Sequence, residues 1–224
     1  PIRYNAFMNF STIFFDLDAT LYPASSGLWT LIRDRIFKFM IEQLRIPAAE
    51  VPGLRDHYWK TYGTTLEGLR RHHQIRPEEY LDYVHNIALE DYIEPDHKLK
   101  QNLRSLPLDL WVFTNSDFRH ANLVLDRLGI QDCFQGVIDL YALDFIVKPN
   151  PEAYYKAFEI AGVTNPAGCL MFDDLIPNLS TAKQLGLTTA LVGDNGQDKD
   201  IDHYLSTIQE LQIALPELWD SSSK

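Results

Sequence analysis

The chain contains the stretch Ile13-Phe14-Phe15-Asp16-Leu17-Asp18-Ala19-Thr20-Leu21-Tyr22, in which an apolar run ends in two aspartates. Such an apolar run is typical of a strand that is buried on both faces of a parallel sheet. Asp16 and Asp18 then fall at the carboxyl end of that strand, where α/β proteins place their ligands. Two carboxylates at one edge repel each other, and a cation between them relieves this repulsion. The stretch therefore predicts a metal-dependent site on a parallel sheet.

The composition limits the classes of protein and of partner. The 224 residues, 46% of them hydrophobic, fit one sizeable domain or a core with a modest insertion. A formal net charge of −11 disfavours nucleic acids and anionic membranes as partners, since both prefer basic surfaces. Without a run of about 18 apolar residues, no membrane span is expected, and no signal peptide is expected either. Cys133 and Cys169 lie among apolar residues and are expected to be buried free thiols of a cytoplasmic protein.

From about residue 96 onward, strand-like and helix-like segments alternate with short connections. Strands are predicted over residues 108–114, 136–140, 169–172 and 188–192, the last of these completing the sheet. Helices are predicted over residues 96–106, 118–128, 151–162 and 177–185. This alternation predicts an α/β fold, a three-layer doubly wound parallel sheet with helices on both faces.

Residues 23–91 have a different pattern, because apolar residues recur there at helical spacing and no convincing strand is present. Helices are expected over about residues 28–44, 50–62, 66–73 and 77–89. We therefore predict two domains: an α/β catalytic core formed by residues 1–22 and 92–224, and an all-helical unit, residues 23–91, inserted after the first strand. The polar tail, residues 221–224, is expected to be mobile.

Polar side chains follow the predicted strands at four places. Each set has a structural explanation by itself, because a hydroxyl or carboxylate can cap the next helix and a lone lysine is most often a solvated charge. In one parallel sheet, however, all four sets rise at the same edge, and a buried strand that ends in two acids needs a partner for them. The four sets are Asp16, Asp18 and Thr20; Thr114, Asn115 and Ser116; Lys148; and Asp173 and Asp174.

In this order the four sets resemble the four motifs of the haloacid dehalogenase-like (HAD) hydrolases, which implies a HAD-like Rossmannoid core. The helical unit between the first and second sets is similar to the inserted cap of that family, and residues 23–91 are called the cap below. Residues 14–23, 58–63 and 67–70 resemble, more narrowly, the pyrimidine 5′-nucleotidase branch. Ala19 departs from the pattern, because relatives commonly carry Asp, Asn or Gly there, and little consequence is expected.

The resemblance implies phosphoryl transfer through an aspartyl-phosphate. Asp16 is then the nucleophile, and Lys148 acts together with Mg²⁺ to offset the charge of the phosphate. Asp18 is the general acid and base, so that one acid is ionised and the other protonated at attack, and mutual repulsion helps to separate their pKa values. Thr20 is typical of phosphatases, whereas sugar phosphomutases tend to have valine there and true dehalogenases lack the acid equivalent to Asp18.

The resemblance also implies Mg²⁺ as the cofactor. Its protein ligands are expected to be Asp16, the backbone carbonyl of Asp18, and Asp173 and Asp174. Asp174 is expected to bind the ion directly, and Asp173 either directly or through water. Oxygen ligands of this kind are those that Mg²⁺ prefers.

Four further residues receive roles from the resemblance. Thr114 and Asn115 are expected to bind the transferring phosphoryl group through hydroxyl, amide and backbone N–H groups. Thr20 and Asn178 are expected to orient the acids rather than to contact substrate.

The predicted function is a Mg²⁺-dependent phosphatase for small phosphomonoesters, with a pyrimidine nucleoside 5′-monophosphate as the favoured substrate. Two alternatives stay open: a phosphatase for another small metabolite, such as a sugar phosphate or phosphoglycolate, and a catalytically idle binding module of the same fold. A nucleobase can stack on an aromatic ring of the cap, although packing within the cap explains most of its rings equally well. The aromatic and basic cap residues are Trp29, Tyr58, Trp59, Tyr62, Arg70, Arg71, His72, His73, Tyr80 and Tyr83.

Overall fold

A six-stranded parallel sheet forms the centre of the protein in the computed structural model, which describes residues 10–194 and 196–219. The strands are β1 (Thr12–Phe15), β2 (Asp109–Phe113), β3 (Gly136–Ile138), β4 (Cys169–Asp173), β5 (Thr188–Val192) and β6 (His203–Leu205). The strand order is β3-β2-β1-β4-β5-β6, so β1 and β4 are central neighbours.

Helices cover both faces of the sheet. The core helices are α5 (His97–Ser105), α6 (Phe118–Leu128), α7 (Pro151–Ala161), α8 (Ile176–Gln184) and α9 (Leu211–Ala214). Ile13 and Phe15 of β1 pack in one apolar cluster with residues of α5, α6 and α9, whereas Phe14 packs in a second cluster with residues of α7 and α8. Because successive side chains of a strand point to opposite faces, this division shows that both faces are buried. The predicted α/β fold is therefore confirmed.

The segment between β1 and α5 is helical, as predicted. It contains α1 (Leu28–Glu42), α2 (Val51–Tyr62), α3 (Thr65–His73) and α4 (Pro77–His85). Local sequence sets several of these boundaries: Thr64 caps α3 by accepting the N–H of Glu67, and Pro77 occupies the first turn of α4. The cap and core boundaries at residues 23 and 91 stay a prediction.

The structure corrects two predicted elements. The helix predicted over residues 77–89 ends at His85, because Asn86 has ψ 78° and leaves the helical region, and Leu89–Asp91 forms a separate single turn. The sheet does not end at β5, since the three-residue strand β6 pairs with it. A strand so short, with Tyr204 exposed at its centre, gives no alternating pattern that the sequence could reveal.

Three other predictions concern single features. Both cysteines are free thiols; Cys169 is buried, whereas Cys133 is only partly buried. Within the described part of the chain, every helix is too short or too polar to span a lipid bilayer. The tail predicted to be mobile, residues 221–224, lies outside the described residues.

Candidate active site

A buried lysine lies between two aspartates at the carboxyl edge of the sheet. Asp16 directly follows β1, and Asp173 is the last residue of the neighbouring strand β4. Lys148 Nζ is 2.8 Å from Asp16 Oδ1 and 2.7 Å from Asp173 Oδ2. Lys148 is 1% exposed, so it is not a solvated surface charge. The parallel sheet thus brings the first, third and fourth predicted sets together.

The second predicted set holds Lys148 in place. Asn115 Nδ2 donates to the carbonyl of Lys148 and Asn115 Oδ1 accepts its N–H, both at 2.9 Å. The Nζ atom of Lys148 also lies 4.9 Å from the centre of the Phe113 ring. Thr114 is buried beside this pair, and its Oγ1 accepts the N–H of Ser116 at 3.0 Å. The side chain of Asn115 is therefore engaged with the lysine backbone, and phosphate binding by Thr114 and Asn115 stays a prediction.

Three carboxylates form a cluster with the donor set of a divalent-cation site. Asp16, Asp173 and Asp174 each offer an oxygen within 4.8 Å of the others. Burial raises the pKa of Asp16 to about 7; Lys148 opposes the rise and Asp173 adds to it. Burial, together with Asp173 and Asp16, raises the pKa of Asp174 to about 9. The clustered carboxylates are hard to ionise together because their negative charges repel. Mg²⁺ prefers such oxygen ligands, and its charge would offset this repulsion.

Neighbouring amide and hydroxyl groups orient the clustered acids. Asn178 Nδ2 lies 2.9 Å from Asp173 Oδ1 and 3.1 Å from Oδ2, and the hydroxyl of Thr20 donates to Asp16 Oδ2 at 3.2 Å. These contacts agree with the expectation that Thr20 and Asn178 orient the acids.

Asp18 has three hydrogen-bond donors around its carboxylate. The hydroxyl of Tyr22 and Nε2 of His120 lie 2.6 Å and 2.8 Å from Oδ1, and the hydroxyl of Ser116 lies 2.9 Å from Oδ2. Burial works against ionisation of Asp18, but the charge and hydrogen bond of His120, together with the hydrogen bond of Tyr22 and the charge of His85, outweigh it and hold the pKa well below its usual range.

The pKa values of the two acids are therefore separated in the opposite order from the one expected, and by a different main cause. Mutual repulsion contributes little to the raised pKa of Asp16, which arises chiefly from burial. The low pKa of Asp18 arises from its donors, so Asp18 is the more readily ionised of the two. The sequence does not show which side chains from other elements surround each acid.

A cavity of about 340 Å³ lies above these acids, between the sheet edge and the cap helices. Asp16, Asp18 and Asp174 lie at its base, and Trp29 and Trp59 of the cap line its wall. The other cap residues that line the cavity are Ile32, Ile36, Arg55, Gly63, Thr64, Thr65, Leu66, Tyr80, Leu81, Val84 and His85. The cavity is therefore mostly apolar on the side of the cap, and acidic at the edge of the sheet.

Most other aromatic and basic cap residues pack against one another. The Tyr58 ring is stacked on the His72 ring at 5.3 Å, and its hydroxyl lies 3.0 Å from Nε2 of His73. The Tyr62 hydroxyl lies 2.8 Å from Nε2 of His72. Arg70 pairs with Glu67 and lies over the ring of Phe145, on the core side. These contacts add to the packing of the buried apolar residues of the cap, such as Ile32, Phe39 and Leu69.

A sequence model of the haloacid dehalogenase-like hydrolase family matches residues 10–186, which include all four sets of site residues. The chain belongs to the haloacid dehalogenase-like hydrolases. It is 31% identical over 190 residues to Phosphate metabolism protein 8 of Saccharomyces cerevisiae, an alignment covering 78% of this chain and 59% of the yeast protein. This hydrolase thus spans little more than half the length of that relative.

Solved structures of HAD proteins share the fold. A HAD phosphatase from Thermococcus onnurineus superposes with a TM-score of 0.63 at 20% identity, covering 91% of this chain and 96% of that one. The HAD-hydrolase YfnB from Bacillus subtilis, bound to magnesium, also has a TM-score of 0.63, at 17% identity and with 92% and 98% of the two chains covered. At these identities the likeness establishes the fold of this HAD-like hydrolase.

The sequence interpretation of this hydrolase missed the histidines near Asp18. His120 lies in the first turn of α6 and is 1% exposed, and His85 is the last residue of α4. His85 Nδ1 lies 2.7 Å from Asp117 Oδ2, and the two imidazole rings are stacked with centres 4.1 Å apart. Burial and the neighbouring His120 lower the pKa of His85; burial opposes protonation of His120, but Asp18 raises its pKa. No local pattern in the sequence pointed to these histidines, because the contacts join residues that are far apart along the chain.

Proposed function

We propose that this chain is a phosphatase that hydrolyses small phosphomonoesters by transferring the phosphoryl group to Asp16. The observation that carries the proposal is the position of the Lys148 ammonium group, buried 2.8 Å from the Asp16 carboxylate at the base of the cavity. A buried cation beside a carboxylate allows that carboxylate to approach a negatively charged phosphate. The fold neighbour named as a HAD phosphatase supports the same class of reaction.

The chemistry of the proposed reaction has two steps. An oxygen of Asp16 forms a bond to phosphorus while the ester P–O bond breaks, and the departing oxygen takes a proton from Asp18. A water molecule then attacks the phosphorus of the aspartyl-phosphate, gives its proton to Asp18 and releases inorganic phosphate and the Asp16 carboxylate. The proton lost by Asp18 in the first step is thereby restored in the second.

The surroundings of Asp18 suit this role. Tyr22, Ser116 and His120 fix both carboxylate oxygens, so the acid is held in one orientation. The low pKa of Asp18 keeps this acid ionised in the free protein, so Asp18 must take up a proton before it can give one to the leaving oxygen, and His120, 2.8 Å away, is placed to supply it.

Mg²⁺ is the proposed cofactor, with Asp16, Asp173, Asp174 and the backbone carbonyl of Asp18 as its protein ligands. When bound there, the ion would offset phosphate charge as that charge moves in the transition state. The three-carboxylate cluster fits the ion, and the magnesium-bound fold neighbour supports the choice. Thr114 and Asn115 are proposed to bind the phosphoryl group at the adjacent strand end.

The cap, residues 23–91, is proposed to select the substrate over a catalytic core of residues 1–22 and 92–224. A pyrimidine nucleoside 5′-monophosphate fits a cavity that has two tryptophan rings, Trp29 and Trp59, in its wall. Arg55 lines the same wall, and its buried Nε–H has no hydrogen-bond partner among the described residues, so a carbonyl oxygen of the base can accept it. Free thiols and the net charge of −11 support a cytoplasmic protein without nucleic-acid or membrane partners.

Phosphate release tests this proposal. The panel contains UMP, CMP, AMP, GMP, a sugar phosphate, phosphoglycolate and p-nitrophenyl phosphate, each with Mg²⁺ and with EDTA. We expect Mg²⁺-dependent turnover that favours UMP or CMP and falls by at least about a thousandfold in Asp16→Asn, since the nucleophile is removed. Asp34→Asn, on the exposed surface of α1, is the matched control and should keep full activity.

The outcomes separate the parts of the proposal. Turnover that favours non-nucleotide esters would retain the mechanism and reject the nucleotide substrate. Activity that survives Asp16→Asn would reject covalent transfer to this residue. No release from any ester by the wild-type protein with Mg²⁺ would favour an idle binding module of the same fold.

A further inference from the structure

One face of the cap helix α4 lies against the core. Glu78 accepts a hydrogen bond from Tyr141 at 3.2 Å, Asp82 forms an ion pair with Arg119, and His85 Nδ1 lies 2.7 Å from Asp117 Oδ2. Residues 78, 82 and 85 follow helical spacing, so they form a single strip along α4. Of these three cap residues, His85 also lines the cavity.

One side chain, that of His120, lies between His85 and Asp18, the proposed general acid and base. Its ring is stacked on that of His120, with centres 4.1 Å apart and planes 18° apart, and Nε2 of His120 lies 2.8 Å from Asp18 Oδ1. Asp117 binds His85 Nδ1 and also caps α6, the helix that carries His120. The path from the cap to Asp18 therefore has short contacts throughout, all of them at largely buried side chains.

The contacts fix the orientation of both rings. A carboxylate accepts only from a protonated ring nitrogen, so Nδ1 of His85 carries hydrogen toward Asp117 and Nε2 of His120 carries hydrogen toward Asp18. The His85 ring lies against one face of His120 and blocks its rotation about the last side-chain bonds. If the cap moved away, His120 would lose this contact and Asp18 would lose a rigid donor.

We propose that His85 and His120 are positioning residues through which the closed cap sets the orientation of the Asp18 carboxylate. The inference rests on the proposed function, because it concerns the step in which Asp18 gives a proton to the leaving oxygen. It assigns to the cap a part in the chemistry in addition to its part in substrate selection. Misplacement of a catalytic group by about 1 Å can lower a rate by about a hundredfold.

A pair of aryl esters tests the proposal in the Mg²⁺-loaded protein. Phenyl phosphate and p-nitrophenyl phosphate have similar shapes, but the nitrophenolate leaves without needing a proton. The measured quantity is the ratio of kcat/KM for p-nitrophenyl phosphate to that for phenyl phosphate, since kcat/KM covers the transfer to Asp16. We expect His85→Ala and His120→Ala to raise this ratio by about tenfold or more, because only the ester that needs the proton depends strongly on Asp18.

Matched variants separate positioning from general damage. Glu78→Ala removes a contact of the same α4 strip without touching His120, so its ratio should equal that of the wild type. His85→Phe retains a stacked ring but loses the Nδ1 donor, and His120→Gln retains an amide donor toward Asp18. Both are expected to restore part of the wild-type ratio, and they also serve as test variants if the alanine variants do not fold.

The result that would overturn the proposal is an unchanged ratio in every folded His85 and His120 variant, with both esters slowed equally. An equal rise of the ratio in Glu78→Ala would also overturn it, because the effect would then follow any loosening of the cap. Absence of wild-type turnover on both esters would instead reject the proposed phosphatase function.

Discussion

Lys148 Nζ lies 2.8 Å from Asp16 Oδ1, although 132 residues separate the two along the chain. Both side chains are almost completely withdrawn from solvent, and the same ammonium group also contacts Asp173. A single buried cation thus serves two carboxylates, with Asp174 as a third acid nearby. When all three acids are ionised the site carries excess negative charge, which a divalent cation would offset.

Replacing Lys148 by methionine is expected to destabilise the protein and to abolish phosphate release. Methionine approximates the length of the lysine stem but leaves the two buried aspartates without their cation, a change that typically costs about 3–5 kcal/mol. Urea unfolding without Mg²⁺ measures the loss of stability, and release from p-nitrophenyl phosphate measures the loss of activity.

The control for this prediction is Lys156→Met, which removes an ion pair with the exposed Asp144. Exposed pairs contribute between about 0 and 1 kcal/mol, so little change is expected in stability or activity. Equal destabilisation by the two substitutions would show that burial of the Lys148 charge has no special consequence.

The stabilisation by Mg²⁺ is expected to grow with pH. The pKa values of Asp16, about 7, and of Asp174, about 9, exceed the usual value of 3.8, so the metal-free folded protein binds these protons more tightly than the unfolded chain. Their contribution to stability is complete below about pH 4 and is lost as pH rises through about 7 and then about 9. Mg²⁺ takes the place of these protons, so it stabilises most where the protons are absent.

Thermal unfolding at pH 5, 6.5 and 8, with Mg²⁺ and with EDTA, measures this dependence. An ion present at about 100 times its Kd adds about 2.7 kcal/mol, or about 5–10 °C in Tm for a chain of this size, at pH 8 and much less at pH 5. Asp174→Asn should raise the metal-free Tm at pH 8 and remove most of the Mg²⁺ effect. Equal shifts at pH 5 and pH 8 would contradict the prediction.

Asn115 is expected to support catalysis through the backbone of Lys148. Its side-chain amide exchanges two hydrogen bonds of 2.9 Å with the N–H and C=O of that residue. Asn115→Ala leaves both backbone groups unpaired at a part-buried position, which costs about 1–3 kcal/mol, and lets the ammonium group shift. We expect kcat to fall by about ten- to a hundredfold.

Asn115→Gln provides the comparison, because it retains both the amide donor and the amide acceptor but displaces them by one methylene group. Its activity is expected to lie between those of the wild type and the alanine variant, as measured by kcat on p-nitrophenyl phosphate. If both variants retained wild-type kcat, Asn115 would not hold Lys148 in its working position.

The strands and the four polar sets were predictable because the information is local. An apolar run that ends in acids, as at Asp16 and at Asp173, indicates within a few residues both a buried strand and the position of its carboxyl end. A parallel sheet then brings such edges together by topology alone, which is why Lys148 was correctly expected near both acids. The family resemblance added the order of the sets but not the distances.

The surroundings of Asp18 were not predictable, because they depend on contacts between distant elements. His85 comes from α4 and His120 from α6, and no spacing in the sequence places an imidazole against Asp18 or stacks it on a second one. The low pKa of Asp18 follows from those contacts, whereas the sequence led us to expect Asp18 to be the protonated acid and mutual repulsion to help separate the two pKa values. The early end of α4 at His85 and the short strand β6 were missed for a similar reason, since tertiary contacts outweigh weak local preferences there.

The backbone at Ala19 gives a prediction about stability. Ala19 has φ 63°, a left-handed conformation that costs a residue with a Cβ atom about 1–2 kcal/mol and costs glycine nothing. Ala19→Gly also loses a buried methyl group and increases the entropy of the unfolded chain, two effects that oppose the gain. Ala157→Gly, at a buried position inside α7, has the same two losses without the gain. We therefore expect Ala19→Gly to be about 1–2 kcal/mol less destabilising than Ala157→Gly in urea unfolding, and equal losses would show that Ala19 is not strained.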